Sequence, residues 1–246
     1  MSTKSIIRTL IKFGKSPLNI EDPFLVQKSL LGGEKHLAVF DVGAYVGDIT
    51  TTYAKIFPQA TIYCFEPFPN SFNKLCHLTK SSSIKPFQIA LSDQNSQVKL
   101  QINTDRSCNS MFPRPTTGAK YYSESSRYIG RIEVETQTLD TFCNTEGIAD
   151  IDILKLDIEG AELKALKGAL GKLSDKRIRL IFAEVMFVAH YEGGCLFHEV
   201  SEFLSRYDYT LFNLYNLKRA RNGQLRWGNA IFLNPQMQEI SVSTCS

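Results

Sequence analysis

Hydrophobic residues along this chain recur in two periods. Short, mainly apolar runs stand at 37–42, 61–65, 84–91, 151–156 and 178–185, each rich in β-branched or aromatic residues. Runs of that length read as strands buried on both faces of a parallel sheet. Between them apolar positions return at helical spacing: Ile49, Tyr53 and Ile56; Phe72, Leu75 and Cys76; Leu163, Leu166 and Leu170; Leu196, Val200, Phe203, Leu204 and Tyr207. Strands that alternate with amphipathic helices predict a doubly wound α/β fold. Further strands are expected at 98–102 and 132–138 and a short helix over 139–145. A closing hairpin is expected from 209–215 and 230–233, with Lys218, Arg219, Arg221 and Arg226 in its solvated connection.

Ahead of the first strand, Ile6, Ile7, Leu10 and Ile11 share one helical face, while Lys4, Arg8, Lys12 and Lys15 lie around the other. A basic amphipathic helix of this kind can lie on a membrane, but more often covers an edge of its own domain. Phe24, Leu25, Leu30 and Leu31 mark a second short helix ending at Gly32-Gly33. Residues 1–36 are therefore expected to form a helical extension and 37–246 one domain. A polar stretch without period, 103–130, interrupts that domain and reads as a functional loop. Its Arg106, Ser107, Asn109 and Ser110 offer donors and Tyr121, Tyr122 and Tyr128 offer flat faces, which suits a polyhydroxylated ligand such as a sugar.

Composition narrows the setting. With 246 residues, 43% hydrophobic and 22% charged, the chain can bury a substantial core, and a net charge of +3 is too small to argue for nucleic acid. The six cysteines include no Cys-x-x-Cys pair, and Cys195 and His198 lack a second pair of ligands, so no metal site is expected. Reduced thiols, no apolar run of membrane-spanning length and no secretory leader together point to a cytoplasmic location.

Chemistry concentrates at the strand ends. After the first strand the turn reads Gly43-x-x-x-Gly47, with Asp41 two positions before the first glycine. Glycines there permit unusual dihedrals and close approach of a ligand, and the new helix N-terminus favours an anionic group. A dinucleotide fingerprint would read G-x-G-x-x-G; an acidic residue at Asp41 suits a ligand with an ammonium or sulfonium end instead. Glu66, at the end of the second strand before Pro67, stands where doubly wound folds place an acid on ribose hydroxyls. Ser92 and Asp93 then fall near an adenine. At the end of the strand 151–156, Asp157 and Glu159 crowd a turn closed by Gly160. Like charges raise one another's pKa, and such crowding suits a base or a cation site. Glu184 near the end of its strand, and His190 and His198 beyond it, are further candidates near the same edge.

Five segments, in order, resemble the FkbM-type S-adenosylmethionine-dependent methyltransferases: Phe-Asp-Val-Gly-Ala-Tyr-Val-Gly-Asp at 40–48, Phe-Glu-Pro at 65–67, Ala-Leu-Ser-Asp at 90–93, Leu-Lys-Leu-Asp-Ile-Glu-Gly-Ala-Glu at 154–162 and Ala-Glu-Val at 183–185. The resemblance implies a Rossmann-like class I methyltransferase fold, a seven-stranded mostly parallel sheet with an antiparallel last strand and helices on both faces. It implies S-adenosyl-L-methionine held by Asp41, Gly43 and Gly47 at its methionine part, Glu66 at the ribose, and Ser92 and Asp93 at the adenine. Asp157 and Glu159 would be the catalytic pair. The implied acceptor is a hydroxyl of a sugar, glycoconjugate or secondary metabolite, with no nucleic acid and no transmembrane segment; a homo-oligomer is compatible with it. Two positions depart from the pattern: Tyr45 stands where Asn is usual, and Met186 where His is frequent. The alternatives on the same sheet are an NAD-dependent oxidoreductase, which lacks its glycine fingerprint here, and a cofactor-binding scaffold without activity.

Overall fold

A computed structural model describes residues 22–32, 34, 36–78, 82–115 and 127–242. The basic helix expected near the start lies outside them, as do Gly33, Tyr121 and Tyr122. The described chain opens with α1 (Pro23–Leu30), whose first turn is capped by the Asp22 carboxylate accepting from the Phe24 and Leu25 N–H groups. Then follow β1 (Ala38–Val42), α2 (Asp48–Ile56), β2 (Thr61–Phe65), α3 (Pro69–Leu78), β3 (Ile84–Phe87), β4 (Ala90–Leu91) and β5 (Ser96–Asn103). A 3₁₀ turn at Arg106–Cys108 precedes β6 (Tyr128–Gln137), α4 (Leu139–Glu146), β7 (Ile151–Leu156), α5 (Glu162–Lys167) and α6 (Leu170–Ser174). The rest comprises β8 (Ile178–Met186), α7 (Phe197–Ser205), β9 (Thr210–Arg219), β10 (Leu225–Leu233) and α8 (Pro235–Val242).

Seven strands form one sheet in the order β3-β2-β1-β7-β8-β10-β9, parallel except that β10 runs antiparallel to both its neighbours. This is the class I methyltransferase arrangement that the resemblance implied. The chain winds outward from β1 through β2 and β3, then returns to lay β7 against the other side of β1. A crevice opens where the winding reverses, outside the carboxyl ends of β1 and β7.

Alternation along the strands builds a core on each face. Phe40 and Val42 of β1, Leu154 and Leu156 of β7, and Ile181 and Ala183 of β8 pack against α4, α5 and α7. Val39, Ile153, Leu180 and Phe182 face the other way, against Tyr53 of α2, Leu75 of α3 and Val26 of α1. Each such fully buried large side chain contributes about 1.5–3 kcal/mol of transfer free energy. Beneath the crevice, Phe142 of α4 meets Phe65 and Phe87 edge-to-face at 4.7 and 4.8 Å. Such contacts add about 0.5–1.5 kcal/mol each and fix the ends of β2 and β3 on α4.

Three expectations change. The strand expected over 84–91 is two: β3 ends at Phe87 on the sheet edge, and Ala90–Leu91 instead pairs with β6 in a separate three-stranded sheet, β4-β6-β5. That sheet narrows the insertion, because β5 runs to Asn103 and β6 already begins at Tyr128. The helix expected through Leu163, Leu166 and Leu170 breaks at Gly168, whose backbone lies against Ser92; a Cβ there would stand 2.0 Å from the Ser92 carbonyl oxygen. In the closing hairpin the strands reach Arg219 and Leu225, so only 220–224 form the tip. Arg226 therefore lies on β10, where its guanidinium comes 3.3 Å from His190 Nε2, and is not part of a solvated connection.

Candidate active site

The first turn is set by what lies beside it. Beyond β1, the Gly43 and Ala44 N–H groups both donate to the Phe65 carbonyl at 3.0 Å, which ties the turn to the end of β2. Gly43 has φ +77°, and a Cβ on it would fall 1.9 Å from the Asp157 carbonyl oxygen. The glycine is thus demanded by the chain after β7. Gly47, with φ +96°, caps α2. Tyr45 has φ +50°, a conformation that asparagine tolerates better, which explains why asparagine suits this position; nothing in the structure explains the tyrosine.

Asp41 has a partner the sequence reading did not give it. Its side chain is fully buried, Thr50 Oγ1 donates to Oδ2 at 2.6 Å, and Lys155 Nζ stands 2.9 Å from Oδ1. Lys155 also donates to the carbonyls of Val42 (3.3 Å) and Gly43 (3.0 Å) and lies 3.8 Å from Asp157 Oδ2. The cationic group facing Asp41 is therefore this lysine, and direct contact of Asp41 with a ligand is corrected to an internal ion pair. Burial alone would pull the lysine down, but the charges of Asp41 and Asp157 hold it above its ordinary value. Lys155 was missed because it sits inside an apolar run; a lysine among Ile153, Leu154 and Leu156 was the available signal.

Glu66 lines the crevice at 7% exposure. Its Oε2 accepts from the Tyr45 N–H at 2.9 Å and its Oε1 from the Phe68 N–H at 2.8 Å. Burial pushes the carboxyl up to about 7 against the pull of those two N–H groups. Phe65, Ile89, Leu91 and Leu100 form an apolar wall, while Arg106, Ser107 and Asn109 come over it from the insertion, with Arg106 5.4 Å above the Phe68 ring. Ser92 and Asp93 stand beyond this wall and line a separate depression. Ser92 is buried and donates to Asp93 Oδ1 at 3.0 Å, and Asp93 is bound by Lys164 Nζ at 3.1 Å. Burial would raise Asp93, but Lys164 and Ser92 keep it below the usual carboxylate range.

The opposite wall is acidic. Asp157 and Glu159 line the crevice, and the Asp157 side chain is 44% exposed. Glu159, at φ +56°, accepts from the Tyr191 hydroxyl at 2.6 Å, while its carbonyl accepts from Ser110 Oγ at 2.7 Å. Arg114 donates to the Tyr191 hydroxyl at 3.3 Å and lies over its ring. Burial and the nearby Asp157 charge push Glu159 up to about 8. Glu184 is raised well above its ordinary value by burial and by Asp157, Glu159 and Glu162. One carboxylate oxygen from each of Asp157, Glu159 and Glu184 lies within 4.8 Å of the other two. Where no metal ligands were expected, the structure brings together three acids that could hold an ion. His190 is buried, and burial with the charges of Arg226 and Arg114 drives it down to about 4, a poor base at neutral pH.

The model of the FkbM methyltransferase domain matches residues 41–211, from Asp41 at the first turn into β9. The chain belongs to the FkbM methyltransferase family. Among its relatives, a 2-O-methyltransferase, NoeI, of Sinorhizobium fredii is 24% identical over 177 residues, covering 69% of this chain and 72% of NoeI. A methyltransferase, sdnD, of Sordaria araneosa is 29% identical over 154 residues, covering 53% of this chain and 59% of that protein. Of solved structures, a precorrin-6y C5,15-methyltransferase from Geobacter metallireducens superposes with a TM-score of 0.46 at 10% identity, over 89% of this chain and 93% of that one.

As a methyltransferase of this family, the protein takes S-adenosylmethionine as methyl donor, and the crevice has the donor set for it. Each Glu66 oxygen spends one acceptor position on a backbone N–H and keeps another for a further donor. The apolar wall offers a flat base somewhere dry to lie. Among the described residues, no helix is long and apolar enough to cross a membrane.

Proposed function

We propose that this enzyme methylates a hydroxyl of a sugar, glycoconjugate or secondary metabolite. The observation that carries the reading is the acidic wall: an accessible carboxylate, Asp157, beside one bound by the Tyr191 hydroxyl, Glu159, both lining the crevice that Glu66 lines from the other side. A carboxylate at that place can take the proton of an alcohol, and the name of the relative NoeI, a 2-O-methyltransferase, agrees with an oxygen acceptor.

The bound donor supplies a methyl group already activated on a sulfonium. What remains for the protein is to align the acceptor and remove its proton. Alignment can supply about 7–11 kcal/mol, and a positioned base a further 10²–10⁴-fold, roughly. Glu66 fixes the ribose, Gly43 and Gly47 shape the turn around the methionine part, and Asp157 receives the proton. Lys155, 3.8 Å from Asp157 Oδ2, orients that carboxylate, and Tyr191 holds Glu159 in its left-handed turn. Arg106, Ser107 and Asn109, which line the crevice, supply donors for acceptor hydroxyls.

Incubating the protein with methyl-labelled S-adenosylmethionine and a panel of glycosides and phenols should give label on an alkali-stable ether. Asp157→Asn should keep affinity for S-adenosylhomocysteine while turnover falls by roughly 10²–10⁴. Unchanged turnover in that variant, or label on nitrogen or carbon acceptors alone, refutes the assignment.

A further inference from the structure

The acids at the ends of β7 and β8 are not equivalent in their partners. Glu162 accepts from the Ile158 and Gly160 N–H groups and from Cys195 Sγ. Glu159 has the Tyr191 hydroxyl, and Asp157 has Lys155 at 3.8 Å. Glu184 Oε2 is buried and has no hydrogen-bond donor among the described residues. Its carboxylate is nevertheless turned toward Asp157 and Glu159, with an oxygen within 4.8 Å of one on each. A carboxylate oxygen sealed from water without a donor is costly to keep, and it is costlier beside two other acids. Lys155, the ammonium beside this cluster among the described residues, is already 2.9 Å from Asp41.

We infer that Asp157, Glu159 and Glu184 bind a divalent cation, with Glu184, whose Oε2 is otherwise without a donor, completing the set. Three carboxylate oxygens are hard donors, which select Mg²⁺, Ca²⁺ or Mn²⁺ over thiol- and imidazole-seeking ions. An ion held at about 2.1–2.5 Å keeps its ligands within about 4.2–5.0 Å of one another, and the three oxygens lie within 4.8 Å. The partial exposure of Asp157 leaves the crevice side of the ion to water or to acceptor oxygens. The inference deepens the proposed hydroxyl methylation and rests on it only for its use: vicinal hydroxyls of a sugar are a natural bidentate ligand for such an ion. The second Asp157 oxygen stays free to receive the proton.

The test measures Mn²⁺ alone, with no donor or acceptor present, by the loss of its free-ion paramagnetic resonance signal on adding the full-length protein. One saturable site is expected, with a dissociation constant on the order of 10⁻⁴ M. Glu184→Gln, nearly isosteric, should weaken it at least about tenfold, and so should Asp157→Asn, whose accessible side chain makes loss of folding no explanation. Unfolding curves and S-adenosylhomocysteine affinity of both variants should stay near those of the parent. Absence of a saturable site, or equal Mn²⁺ uptake by parent and both variants, overturns the inference. Methyl transfer that survives chelation, without Mn²⁺ uptake, overturns the cation and leaves the methylation reading standing. Mn²⁺ uptake that fails only in the two variants supports the site, even where no hydroxyl acceptor is methylated.

Discussion

Replacing Gly43 by alanine should cost far more than losing a flexible turn residue usually does. At φ +77° an L-residue pays about 1–2 kcal/mol for the left-handed conformation. The added Cβ would stand 1.9 Å from the Asp157 carbonyl oxygen and 2.9 Å from its carbon. Carbon–oxygen contacts close at about 3.3 Å, so the ends of β1 and β7 would have to part by roughly 1.4 Å. Forced expansion of packed backbone costs about 1–3 kcal/mol, which brings the expected loss to about 2–5 kcal/mol. Gly223→Ala supplies the control, because its φ is +87° and nothing stands within 4 Å of the Cβ position; only the backbone cost of about 1–2 kcal/mol applies there. Guanidinium unfolding of both variants separates the two effects. Gly43→Ala should also lose turnover under conditions where it is fully folded, because the shift carries Asp157 with it. A Gly43→Ala protein as stable as Gly223→Ala would show that the contact between the two strand ends does not constrain the site.

Affinity for S-adenosylhomocysteine should rise with pH through about 7, because burial pushes Glu66 to about 7 and its carboxylate is the form that accepts ribose hydroxyls; titration calorimetry between pH 6 and 8.5, roughly one decade either side of neutrality, should find the dependence absent in Glu66→Gln. The same group acts on stability with the opposite sense. Its folded pKa lies above the unfolded value, so the folded state holds the proton longer and stability falls as pH rises from about 4.5 to about 7, by at most about 3 kcal/mol. A Glu66→Gln protein with the parent's stability slope in that window would count against it. Lys155→Met should destabilise by about 3–5 kcal/mol through the stranded Asp41 charge, and adding Asp41→Asn should recover much of that loss. Equal stability of the single and double variants, measured in urea, would refute the pairing.

Much of the fold could be read from local pattern, because continuous apolar strands and helical spacing are properties of ten neighbouring residues. The seven strands of the main sheet and its antiparallel last strand followed from the family resemblance and stand in the structure. What could not be read depends on residues far apart in the chain. The break at Gly168 comes from the Ser92 carbonyl, and the division of 84–91 comes from β6, which captures Ala90 and Leu91 from the sheet edge. Glu66 was placed from its spacing after the first turn because one βα unit carries both. Asp41 was given to a ligand because its true partner is displayed only when β7 lies beside β1, and there the register sets Asp41 directly opposite Lys155.

That register explains why the two acidic ends of the site behave differently. Lys155 and Asp157 are two apart on a strand and so project to the same side of it. Lys155 turns into the sheet toward Asp41, and Asp157, one step past the last ladder pair, emerges above the same carbonyls, Val42 and Gly43, that Lys155 binds. The lysine neutralises the acid of β1 and leaves the acids of β7 and β8 with a surplus of negative charge at the mouth of the crevice. A variant that moved this balance, Lys155→Met with Asp41→Asn, would keep the fold while removing the one positive charge near Asp157. If surplus charge is what the site needs, Mn²⁺ affinity should rise in that double variant; a fall would mean that Lys155 acts chiefly by holding the Val42–Gly43 turn in place.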